Sequence, residues 1–118
     1  MVVDKEELKK RTKQFAHRCV KLCNVLPNSD LGRLVSGQLL RSSTSVASNY
    51  RATCVAQSKP SFIAKISIVV EESDESLFWL EFIIDEELFP KEKVEPLMKE
   101  ANELVSIFIS SRKTASGK

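Results

Sequence analysis

Apolar residues recur at steps of three and four along most of this chain, the spacing that keeps side chains on one face of a helix. The first run is Leu8, Thr12, Phe15, Cys19, Leu22 and Leu26, widened by Ala16, Val20 and Cys23, with Lys5, Lys9, Lys10, Lys13, Arg18 and Lys21 left for the opposite side. It predicts a helix over about 4–26, with Asp4 as N-cap and Glu6 and Glu7 in the first turn, where the helix dipole favours acids. Pro27-Asn28-Ser29-Asp30 ends that helix and caps a second one over about 31–57. The second segment is rich in small residues, among them Gly32, Ser36, Gly37, Ser42, Ser43 and Ser48. Small side chains let neighbouring backbones approach closely, and because Gly and Ser are poor helix formers, tertiary packing has to hold this helix.

In the third segment composition and period disagree. Phe62-Ile63 through Val69-Val70 has the β-branched character of a strand. Yet Ile63, Ile66, Val70, Ser73, Leu77, Leu80 and Ile84 keep the helical spacing with no turn residue among them, so a helix is predicted over about 60–87, with Ser58 as cap and Pro60 in the first turn. Ile68, Phe78, Trp79 and Phe82 cannot all share that seam, so some large apolar groups are left facing out of the core, which makes these four candidates for an interface between copies. Val94, Leu97, Ala101, Leu104 and Phe108 give a fourth helix over about 92–112, with Pro96 assigned to its first turn and 113–118 as a frayed tail. The expectation is an all-α, up-down-up-down antiparallel four-helix bundle forming a single domain over 1–118.

At 118 residues the chain is long enough to fold without a metal or disulfide. Three Gly and four Pro are too few for a sandwich or barrel, which needs a turn every 8–12 residues or so. There is no apolar run of about 18 residues and no signal-peptide pattern, so a soluble, cytoplasmic protein without membrane contact is expected. Cys19, Cys23 and Cys54 are expected as buried free thiols.

The net charge of +2 hides a strong separation along the chain. Residues 31–70 carry Arg33, Arg41, Arg51, Lys59 and Lys65 and no acid, whereas 71–118 carry twelve acids against six bases. One surface can therefore be basic although the whole is nearly neutral. Arg33, Arg51, Lys59 and Lys65, joined by Arg18 and Lys21 of the first helix, are the candidate contacts for a phosphate backbone; a solvated basic face is the plainer alternative. Only Tyr50 and Phe62 lie among these charges, so stacking on single-stranded bases has little support.

No catalytic constellation is found. His17 is the one histidine and does not make a zinc site with Cys19 and Cys23. No motif supplies a base for a serine nucleophile, no glycine-rich phosphate loop is present, and Glu71, Glu72, Asp74 and Glu75 lack the histidines of a di-iron bundle. No catalytic residue, metal or cofactor is expected. The second helix does carry a polar row, Gln38, Arg41, Ser45 and Asn49, where a bundle helix is ordinarily apolar. Residues of the second and third helices whose numbers sum to about 118 face each other if the turn lies near Lys59, which brings Arg41 within reach of Glu75 or, second, Glu72. The row is expected to form a buried or half-buried network that fixes helix register; ligand contact is the alternative.

The blocks Phe15-Ala16-His17-Arg18, Gly37-Gln38-Leu39-Leu40-Arg41-Ser42-Ser43-Thr44-Ser45-Val46-Ala47-Ser48-Asn49-Tyr50-Arg51, Ser58-Lys59-Pro60-Ser61-Phe62-Ile63-Ala64-Lys65 and Glu71-Glu72-Ser73-Asp74-Glu75-Ser76-Leu77-Phe78-Trp79-Leu80-Glu81 resemble the bacterial 23S rRNA-intervening-sequence proteins over nearly the whole chain. The resemblance implies a helical protein without enzymatic activity that assembles as a ring-like homopentamer. Some relatives are encoded inside 23S rRNA insertions, and others assist a reverse transcriptase in diversity-generating retroelements through a basic surface. Here Asn49 is followed by Tyr50-Arg51-Ala52, where many relatives continue in an Ile-Ala-Glu-Gly-like manner. Two readings follow: an assembly that associates with RNA or DNA, or a structural or adaptor oligomer that docks a protein partner.

Overall fold

The computed structural model describes residues 4–117. They form four helices, α1 (Lys5–Asn24), α2 (Asp30–Cys54), α3 (Lys59–Asp85) and α4 (Lys91–Ala115), with no strand among the described residues. Connectors of four or five residues turn the chain back each time, so α1 packs on α2, α2 on α3 and α3 on α4, while α4 closes back on α1 along a shorter contact. The result is an elongated bundle, 45 Å by 23 Å by 22 Å.

The starts of α1, α2 and α3 are written in their caps. The side chains of Asp4, Ser29 and Ser58 accept from the backbone N–H of Glu6, Gly32 and Ser61 and satisfy donors that a helix N-terminus leaves free. Gly32 has a second reason. A Cβ there would lie 1.9 Å from the Pro27 carbonyl oxygen, so the tight α1–α2 connection leaves no room for a side chain. In α4 the cap position is Pro90, without a side-chain cap bond, and Pro96 lies inside the helix rather than in its first turn as the sequence suggests. Helix α4 also continues to Ala115, past the expected end near Arg112; Lys118 of the expected tail lies outside the described residues, as do residues 1–3.

The core is a stack of side chains from all four helices. Phe15, Leu39, Leu80 and Leu104 are among its fully buried members, and Tyr50 lies against Phe108 with ring centroids 5.3 Å apart. Burying each such side chain is worth about 1.5–3 kcal/mol. The expected seams of α1 and α4 match the buried faces, with Leu26 and Val20 only half-buried.

On α3 the buried face is Ile66, Val69, Ser73, Ser76, Leu80 and Ile83, one position away from the expected Val70, Leu77 and Ile84, which are half-buried, as is Ile63. The reason lies opposite, on α2. Ser42 and Ser43 are fully buried there, and Ser76 Oγ donates to Ser42 Oγ at 3.0 Å. Two small hydroxyls facing each other let α2 and α3 approach where larger groups could not, so the smaller residue of the Ser76-Leu77 pair takes the core position. Among the thiols, Cys19 and Cys23 are buried and free; Cys54 is half-buried, because it sits in the last turn of α2 where the core ends.

Candidate functional site

The polar row of α2 runs along the outer edge of the α2–α3 seam. Arg41 Nη1 donates to Glu72 Oε1 at 2.8 Å, and its Nη2 donates to Glu75. Trp79 Nε1 donates to the same Glu75 oxygen, Oε2, at 3.2 Å. The guanidinium holds the Glu75 carboxyl below the usual carboxylate range, and the indole acts in the same direction. The row is not one buried network, however. Arg41 is exposed, Gln38, Ser45 and Asn49 are half-buried, and Asn49 turns back on its own helix, donating to Ser45 Oγ at 2.8 Å and to the Ser45 carbonyl at 3.0 Å. The physical cause is Ser42 and Ser76, which occupy the interior line of the seam and leave the longer polar chains at its rim.

Beside this edge is an aromatic cluster on α3. Phe78 and Trp79 meet edge-on with centroids 4.9 Å apart, and Phe82 lies 5.7 Å from Trp79 and 5.9 Å from Phe78. Trp79 and Phe82 are half-buried against the core, whereas Phe78 is 49% exposed and Ile68, further along α3, is 42% exposed. Phe78 lies on an acidic helix face between Asp74 and Glu81, and with Trp79 and Phe82 it makes a contiguous aromatic patch, whereas the more exposed Val25, Leu34 and Val55 lie on or beside other helices.

The basic candidates do not form one patch. Arg33 is held by Asp30 and by Asn28, whose Oδ1 accepts from Nη1 at 2.9 Å, so its charge is locally matched by an acid that the acid-free window beginning at residue 31 leaves out. Arg18 and Lys21 lie toward the same end of the bundle as Arg33. Arg51, Lys59 and Lys65 lie toward the other end, where α1 and α3 begin and α2 and α4 finish. Lys59 stands near Gly117, just past α4, and Lys65 is half-buried.

The structure instead joins Arg51 to residues not singled out from the sequence. An open groove of about 780 Å³ runs between α1 and α2, lined by Lys9, Lys10, Lys13, His17 and Arg51, over a floor that includes Ala16, Val20 and Ala47. Glu6 is its one acid and is paired with Lys9 at 3.1 Å. The signal for this grouping was present in the numbering: across the first connector, facing residues such as Cys23 and Ser36, or Lys9 and Arg51, sum to about 60. Also absent from the sequence reading is a clamp across the α1–α4 seam, where Arg11 Nε and Nη2 donate to the two oxygens of Glu100 at 3.0 and 2.7 Å, and Nη2 also to Glu103 Oε1 at 3.2 Å.

Antiparallel packing turns charge order along the chain into charge order along the bundle. The half built from residues 4–14, 44–73 and 104–117 carries ten Lys and Arg against five Asp and Glu; the half built from 15–43 and 74–103 carries seven against eleven. No cluster of three or more metal-ligating side chains occurs among the described residues.

The model of the 23S rRNA-intervening sequence protein family matches residues 4–110. No curated protein matches the chain. Among solved structures, a Bacteroides thetaiotaomicron protein of unknown function from the S23 ribosomal protein family is similar at 35% identity, with a TM-score of 0.82 over 89% of this chain and 97% of that one. The fold, the match over all four helices and this structural likeness agree, and the chain belongs to the 23S rRNA-intervening sequence protein family.

Proposed function

We propose that this protein is a non-enzymatic, self-associating helical bundle that holds nucleic acid on a basic surface. The observation that carries the reading is the charge order along the bundle, ten bases against five acids in one half. A polyanion gains from such a surface by counterion release, and several copies held together add their fields and raise the effective concentration of each other's contacts. Self-association is supported by the aromatic cluster of α3, where Phe78 stays half in water in the single chain. The family resemblance makes a ring of five the expected assembly. None of the four helices is long and apolar enough to cross a membrane.

The test is binding of RNA and DNA to the purified protein between about 50 and 200 mM salt. Affinity that falls steeply over this range supports the reading, and absence of binding at the lowest salt overturns it. In that event the exposed Phe78 and Ile68 favour the second reading, an oligomer that docks a protein partner.

A further inference from the structure

We propose that the α1–α2 groove is the seat of one phosphodiester strand of a nucleic-acid duplex, bound without regard to base sequence. This rests on the nucleic-acid reading above and adds the place, the form of the ligand and the residues. Lys9, Lys10 and Lys13 stand on the α1 side and Arg51 on the α2 side, so cations line both walls of one open channel. The only carboxylate in it, Glu6, is already paired with Lys9.

The walls say what kind of contact is made. Ala16, Ala47 and Val20 give a shallow floor of small side chains, with no deep apolar pocket to take the anchoring side chain of a protein partner. No Phe, Tyr or Trp lines the groove and His17 is its one ring, so unpaired bases have little to stack on, which disfavours single strands. Thr44 Oγ1 and Ser48 Oγ direct their protons to the carbonyls of Leu40 and Ser45, leaving charge rather than hydroxyl donors as the main attraction. What remains is an open, cationic, sequence-blind channel. From Lys9 to His17 is about 12 Å at 1.5 Å per residue, and phosphates of one duplex strand follow one another at about 3.4 Å along its axis, so the channel covers three or four of them.

The experiment is fluorescence polarisation with a mixed-sequence 20-base-pair RNA duplex, its DNA counterpart and an oligo-adenylate single strand, from about 50 to 200 mM salt. The proteins compared are wild type, the pair Lys10→Glu with Arg51→Glu, the milder pair Lys10→Gln with Arg51→Gln, and Arg33→Glu at the opposite end, with circular dichroism and light scattering on each. The proposal expects duplexes to bind more tightly than the single strand. It expects either groove pair to lower duplex affinity at least about tenfold and to reduce the salt slope by about two, one for each phosphate contact removed, with Arg33→Glu changing affinity less than about twofold. Wild-type binding that the folded groove variants retain in full overturns this site while leaving the nucleic-acid reading intact. Tighter binding to the single strand overturns the duplex assignment. No binding by wild type at 50 mM salt overturns both. A groove variant whose assembly mass falls in the absence of nucleic acid shows that the groove instead receives the acidic face of a second copy, and overturns the proposal.

Discussion

Gly32 and Gly37 lie five residues apart on one helix and answer to different forces. The Pro27 carbonyl occupies the space of a Gly32 side chain, whereas a Cβ at Gly37 meets nothing within 4 Å. Gly32→Ala is expected to cost about 1–3 kcal/mol through overpacking. Gly37→Ala is expected to add up to about 1 kcal/mol, because alanine is the better residue in an exposed helix interior. Paired denaturant titrations check both signs. The buried thiols give a second residue-scale prediction. Burial pushes Cys19 up to about 12 and Cys23 up to about 11, from an ordinary 9.0. A folded-state value raised above the unfolded one means that stability is full below about pH 9 and is lost as pH rises toward 11 or 12. Each thiol contributes a loss of up to about 1.4 kcal/mol per pH unit in that window. Denaturation midpoints between pH 8 and 10 should therefore fall, and fall less in a Cys19→Ala, Cys23→Ala variant.

Two arginine clamps of similar form join different elements. Arg11 holds both oxygens of Glu100 across α1 and α4, with side chains 28% and 18% exposed, at the seam where these helices meet over a shorter length. Arg41 bridges α2 and α3 at a rim where its side chain is 50% exposed, over a seam already closed by Ser42 and Ser76. Solvent screens the second more than the first. Arg11→Ala is expected to cost about 1–2 kcal/mol and Arg41→Ala less than about 1 kcal/mol. Thermal melts of the two variants give the order, and a larger loss for Arg41 would show that the α2–α3 rim, not the serine pair, holds that seam. The part Glu75 plays in the Arg41 contact follows from its lowered folded-state value: it is present at neutral pH and fades as acid protonates the carboxyl below the usual range.

For the whole molecule the two surfaces proposed for polyanion binding and for assembly lie on different helices. The basic groove belongs to α1 and α2, and the exposed aromatic face belongs to α3, so assembly and polyanion binding need not compete for the same side chains. Light scattering is expected to give a multiple of 13.3 kDa, five copies for a ring, and Phe78→Asp to lower it while leaving helicity unchanged. A monomeric wild type removes the interface role of Phe78. Loss of assembly in Phe78→Asp should also weaken nucleic-acid binding, because the field of neighbouring copies is lost although every groove cation remains.

By itself the sequence determined the four helices and the caps of the first three, because period and cap chemistry are local properties that a few neighbouring residues decide. It also placed Arg41 opposite Glu72 and Glu75, since a short connector makes facing positions a matter of counting. The tertiary structure alone decided which of two adjacent apolar lines α3 buries: Ser76 wins over Leu77 only because Ser42 stands across from it. The Asp30–Arg33 pair, three residues apart on one helix, is local. Counting brings Lys9 level with Arg51, but only the packed bundle decided that the space between α1 and α2 stays open as a groove lined by Lys9, Lys10, Lys13 and Arg51. Charge acts through space, and residues forty positions apart become one surface only when antiparallel helices set them side by side.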